Sequence, residues 1–194
     1  MDNDLLKDAA KDSLKGTKYE KWSLDNKDLT LLSGWVKIAA FIVEAKISIE
    51  HAIELNKNEK FEIRDFVLAT GMYKNFVMSY SKCFNSAGIG NISLDAKDIY
   101  KDKVDLLRLH NVIMNARNTY VAHNDHNNSD VTLSLTSEDD NSIVLAQVYT
   151  VSTPINEFND YKNLISVLED EVIYRFNKKV DKIQTKIGKN IFFE

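Results

Sequence analysis

Apolar residues recur along most of this chain at spacings of three and four, the period of a helix with one face turned to a core. Over 27–56, Leu31, Leu32, Trp35, Ile38, Ala39, Ile42, Ala45, Ile49 and Ile53 keep that period, which predicts one long helix. Asn26 is placed to cap it, Asp28 favours its first turn, and Asn56-Lys57-Asn58 ends it. Gly34 falls inside the pattern, either at a close helix contact or as a tolerated small residue. Over about 62–87, Phe66, Ala69, Tyr73, Phe76, Val77, Tyr80, Cys83 and Phe84 form a second stripe, which Gly88 and Gly90 close. Aromatic residues at helical spacing read first as core and only second as a platform for bases. A third stripe, over about 100–122, holds Leu106, Leu107, His110, Ile113, Met114, Arg117, Tyr120 and Val121. His110 and Arg117 interrupt it two turns apart on one side. The last stripe, over 157–187, runs from Phe158 and Tyr161 through Leu164, Ile165, Leu168, Val172, Phe176 and Val180 to Ile183 and Ile187.

Two shorter helical pieces complete the reading. Leu5, Leu6, Ala9, Ala10 and Leu14 predict a first helix that Gly16 stops, and Ser93 is placed to cap a turn ahead of the third long helix. After His123 the period changes. A polar loop, NDHNNSD, leads to Val131, Leu133 and Leu135 alternating with Thr132, Ser134 and Thr136. The acidic turn EDDNS and a β-rich run over 143–151 follow, so 131–151 reads as a β-hairpin, and Pro154 ends it. A hairpin alone is too small to be a domain. The fold class is therefore all-α: an up-down helical bundle over 1–194, one domain, with a β-hairpin insertion.

Composition narrows the functional classes. A chain of 194 residues with one Pro and six Gly favours long helices over many short strands. A net charge of -4 argues against a general nucleic-acid coat but leaves room for a local basic groove. Cys83 is the only cysteine, so no disulfide can form within the chain, which fits a reducing compartment. The start, MDNDLLKDAAKDS, lacks the basic and apolar runs of a secretory signal. The most apolar stretch, 38–43, is flanked by Lys37 and Glu44 and is far shorter than the ~20 residues of a membrane span. A cytoplasmic location, with no membrane association, is the expectation.

Candidate chemistry concentrates in RNTYVAH, Arg117 to His123. A fixed cation, a polar amide and an imidazole meet there at the end of an apolar helix. The plain reading is structural: Arg117 pairs with an acid, and His123 caps the helix C-terminus, where a cation gains ~0.3–1 kcal/mol. The chemical reading is RNA cleavage. RNA carries its own nucleophile, the 2′-OH beside each phosphodiester, so cleavage needs proton transfer and stabilisation of an anionic transition state. His123 titrates in the right range for general acid or base work. Arg117 offers a planar fork matched to phosphate oxygens. Asn118 could orient His123 or donate to the phosphate. On an ideal helix the two charged residues lie about 120° apart, so one continuous helix does not set them side by side.

RNTYVAH resembles the signature of the HEPN superfamily, an Arg and a polar residue followed after a short spacer by a His. The extension AHND, with Asp125, is similar to the branch that includes abortive-infection and toxin-like bacterial proteins. The match is close over the motif and loose over the helical layout, and the hairpin departs from a minimal bundle. The resemblance implies a metal-independent endoribonuclease, a homodimer whose motifs face each other, with Arg117, Asn118 and His123 as catalytic residues and no cofactor. It implies RNA as substrate and an antitoxin or defence-system partner protein. The rival is a catalytically silent module of the same fold that binds RNA or protein.

Other signals are weaker. Lys178, Lys182, Lys186 and Lys189 recur along the last helix, a solvated face first and an RNA-backbone stripe second. His110, His123 and His126 lack zinc-ligand spacing, so no metal site is expected. His110 reads as a satisfied polar group in the core or at a dimer seam, and Cys83 as a small buried hydrophobe. Asp139-Asp140 belongs to a turn, and no phosphate-binding glycine loop occurs.

Overall fold

The computed structural model describes residues 12–20, 27–57, 62–85, 92–118, 130–138, 142–151 and 153–193. In chain order its elements are α1 (Lys27–Asn56), α2 (Ile63–Lys82), the single turn α3 (Ala96–Ile99), α4 (Val104–Ala116), the strands β1 (Asp130–Glu138) and β2 (Ile143–Val151), and α5 (Phe158–Ile187). The fold is mostly helical, with one two-stranded antiparallel sheet. Residues 5–11 of the expected first helix, and Asn26, Gly88, Gly90, Tyr120, Val121, Asp139 and Asp140, lie outside the described residues. Of that first helix the turn 12–14 is seen, and Gly16 follows it with a φ of 74°, which only a glycine adopts without strain.

α1 is the central helix. It packs against both α2 and α5, and one apolar stripe at steps of four and three forms its buried face. Ile38, Ile42, Ala45, Ile49 and Ala52 are all buried there. Leu31 and Ala39, expected in the core, are exposed instead. Polar contacts fix the directions. Asn75 donates to Ser48 Oγ at 2.7 Å and Ser79 to Glu44 at 2.9 Å, so α2 runs antiparallel to α1. Lys46 pairs with Glu169 and Lys162 with Glu50, so α5 also runs antiparallel to α1.

The aromatic stripe of α2 is core. Tyr73 stacks on Phe158 at 5.8 Å between ring centroids, and Phe76 on Tyr161 at 5.5 Å. Burying each ring contributes roughly 1.5–3 kcal/mol, with about 0.5–1.5 more from aromatic pairing. Cys83 lies on the same stripe, fully buried, and burial pushes its thiol up to about 12.

Helix ends depart from the expected ones for reasons remote in sequence. α2 stops at Lys82, not near 87, and the returning chain takes the carbonyls just beyond it. Leu94 N donates to Cys83 O at 3.0 Å and Ser93 Oγ to Phe84 O at 2.9 Å. Ser93 thus reaches back to the chain just beyond α2 and does not cap the turn after it. The cap of α3 is Asp95, which accepts from Lys97 N at 2.8 Å. α4 starts at Val104, not 100, because Asp102 takes a φ of 63° and breaks the helix between α3 and α4. At its start α2 carries a capping box between Glu62 and Asp65, and α5 ends where Gly188, at a φ of 66°, donates to Gln184 O.

β1 and β2 pair in register from Asp130 opposite Val151 to Glu138 opposite Ile143. In the hairpin Leu135, Ile143, Val144 and Leu145 are exposed. A hydrogen bond of 3.2 Å between Thr70 and Thr153 ties the chain beyond it to α2.

Candidate functional site

Arg117 follows the last residue of α4 with helical φ and ψ of −58° and −45°. Over 117–118 the turn widens into π geometry, an uncommon local form that concentrates at functional sites. His123 lies outside the described residues, as do Asp125 and His126.

Arg117 is half-buried, and its Nη1 donates to Asn118 Oδ1 at 3.1 Å. Among the described residues no carboxylate pairs with it. The structural explanation for a half-buried arginine, an acidic partner, is therefore not supplied by the surrounding helices. What stands beside Arg117 instead is a cavity of about 340 Å³. Two further cations, Lys37 from α1 and Lys82 from α2, line it with Arg117. Ile38, Phe41 and Met78 form an apolar part of the wall, and Gly34 and Asn85 complete much of the rim. No acidic residue is among those described around it.

The two lysines share one ring. Lys82 Nζ lies 5.0 Å and Lys37 Nζ 6.0 Å from the centroid of Phe41. Each contact is worth ~0.5–1 kcal/mol at a surface and holds an ammonium over the cavity wall. Gly34 is buried and is one of the residues that line the cavity. Sequence reasoning missed Lys37 and Lys82. They lie on different helices, and only the antiparallel α1–α2 pairing brings them together. The one local signal was Lys37 four residues before Phe41, one turn apart on the same face.

Lys178, Lys182 and Lys186 are exposed on the second half of α5, and Lys189 lies beyond the helix, past Gly188. The stripe is thus three helical positions and one residue after them. Leu32 of α1 clusters with Val180 and Ile183 of α5. This places the lysine stripe at the same end of the bundle as Gly34, Lys37, Lys82 and Arg117. α5 is strongly divided. Its first half carries Asp160, Glu169, Asp170 and Glu171 against Lys162, and its second half Arg175, Lys178, Lys179, Lys182 and Lys186 against Asp181. Part of that division answers the helix dipole.

His110 is a satisfied core residue. Its Nδ1 is 2.9 Å from the hydroxyl of Tyr80, which is 3.0 Å from the hydroxyl of Tyr100. Phe84 meets its ring edge-on at 4.5 Å. Burial lowers its pKa, and the Asp95 carboxylate opposes that only in part. Among the described residues no group of three or more His, Cys, Asp or Glu could hold a metal ion, and no helix is long and apolar enough to cross a membrane. No family model, no curated protein and no solved structure matches the chain.

Proposed function

We propose that this chain is a HEPN-like, metal-independent endoribonuclease of a bacterial defence or toxin-type system, acting as a homodimer. The observation that carries the reading is Arg117: half-buried at the end of a core helix, without an acidic partner among the described residues, and facing a cavity lined by two more cations. An anion-binding role suits that arrangement, because a cation drawn partly out of water is stabilised when something negative answers it. In the proposed reaction Arg117 holds the phosphodiester and steadies the charge that develops on it. His123 moves the proton, and Asn118, which accepts from Arg117, fixes the guanidinium. The attacking 2′-OH belongs to the RNA, so these side chains suffice without a metal.

One imidazole does not readily both take the proton from the 2′-OH and give one to the leaving oxygen in a single step. A twofold dimer supplies a second His123. Val36, Ala40, Val43 and Ile47 are exposed on one face of α1 at alternating steps of four and three, a spacing suited to a helix–helix seam. Lys178, Lys182, Lys186 and Lys189 offer a backbone track at the same end of the bundle. A cognate antitoxin or another defence protein would keep such an enzyme silent.

Cleavage of mixed RNA in EDTA tests the proposal. The parent chain is expected to cut, His123→Ala to cut ~10²–10⁴-fold more slowly, and Arg117→Ala ~10²–10³-fold more slowly. A parent that binds RNA but never cuts it would leave the binding module as the function. Full activity in both variants would assign the cutting to something else.

A further inference from the structure

We infer that the cavity beside Arg117 is a subsite for one nucleotide of single-stranded RNA, with its phosphate toward Lys37, Lys82 and Arg117 and its base against the apolar wall. The inference rests on the ribonuclease reading and names which part of the substrate the site grips. Three features lead to it. The first is size: about 340 Å³ falls at the small end of the ~300–1,000 Å³ of ligand pockets. That suits one unit of a polymer better than a larger ligand.

The second is the division of the wall. Three cations stand on one cavity together with Ile38, Phe41 and Met78. A simple inorganic anion would use the cations and leave the apolar side unused, whereas a lipid-like ligand would use the reverse. A nucleotide has both an anionic part and a flat, largely apolar part. The third is how the cations are held. Lys37 and Lys82 come from different helices, and each places its ammonium over the ring of Phe41. A phosphate at the cavity gains charge-assisted contacts from cations supplied by separate helices, in a partly enclosed setting. Charge-assisted contacts of this kind fix a strand's position without reading its sequence. The subsite is therefore expected to tolerate any base.

The test uses the full chain carrying His123→Ala, so that binding is measured without cutting. Anisotropy of a fluorescein-labelled 12-nucleotide RNA is followed in EDTA over a range of salt. Lys37→Gln and Lys82→Gln are each expected to weaken binding and to reduce the slope of log K against log salt by about 0.7, the loss of one phosphate contact on a single strand. Lys57→Gln, exposed at the far end of α1, should change neither. Thermal melting of each variant keeps a folding defect apart from a binding defect. Adenosine monophosphate is expected to displace the RNA at concentrations where inorganic phosphate does not. Equal displacement by inorganic phosphate would overturn the nucleotide subsite, as would parental binding and slope in both lysine variants. Failure of the two readings is separable. Cutting that needs Arg117 and His123 but ignores Lys37 and Lys82 sinks the subsite alone. Binding that needs the lysines in a chain that never cuts sinks the catalytic reading alone.

Discussion

Tyr80 is buried among Phe76, Phe84, Tyr100 and His110, and its hydroxyl is shared between Tyr100 and His110. Burial holds Tyr80 and Tyr100 protonated, pushing Tyr80 well above its ordinary range, and holds His110 neutral by lowering its pKa. Tyr80→Phe removes the central hydroxyl while keeping the ring. It is expected to cost about 1–3 kcal/mol in urea denaturation, because two buried polar groups lose a partner. The same network sets a pH dependence. Unfolded His110 takes a proton near pH ~6.5, whereas folded His110 resists it to lower pH. Between those two values the unfolded chain binds more protons. Stability is therefore full above about 6.5 and falls below it, by at most ~1.4 kcal/mol per pH unit. In His110→Gln that part of the slope should disappear. That His110 would be a satisfied core residue was legible from its place on an apolar face. Its partner Tyr80, on another helix, was not.

The long helices were legible because each buries a face at strict helical period, and α1 and α5 begin and end within a residue of the reading. The end of α2 and the start of α4 were not, because the contacts of Ser93 and Leu94 and the backbone geometry of Asp102 beside them are not carried by periodicity. Between elements, the antiparallel register of α1 and α5 has an electrostatic part. Lys46 and Glu169 are about two-thirds buried, and the bond to Glu169 is the main reason the Lys46 pKa is raised. Glu50 and Lys162 are more exposed, 3.1 Å apart. Double-mutant cycles to alanine should give a coupling of roughly 1 kcal/mol for Lys46–Glu169 and a smaller one, within ~0.2–0.5, for Glu50–Lys162. Equal couplings would mean that burial does not distinguish the two pairs. The candidate site was half legible for the same reason as the helix ends. RNTYVAH is continuous in sequence, whereas Lys37, Phe41 and Lys82 meet only through packing.

For the whole molecule, a net charge of -4 hides a division. Acids gather along the first half of α5, and bases gather along its second half and around the cavity. The proposed dimer would bring two such basic ends to one RNA. Val43→Asp puts a charge in the middle of the exposed α1 stripe without touching the core. It is expected to shift the chain from dimer to monomer in analytical ultracentrifugation and to lower cutting in proportion. A parent chain that sediments as a monomer at the concentrations where it cuts would remove the shared-cleft arrangement.

Cys83 gives the chain an unused experimental advantage. The only thiol is enclosed by the aromatic core and kept protonated to about 12, so it offers little thiolate to an alkylating reagent while the protein is folded. A cysteine introduced at one exposed position would therefore carry a fluorophore or spin label selectively, with the native residue left in place. Distances between the two copies of such a label would report assembly directly, and reaction of Cys83 itself would mark the moment the core opens.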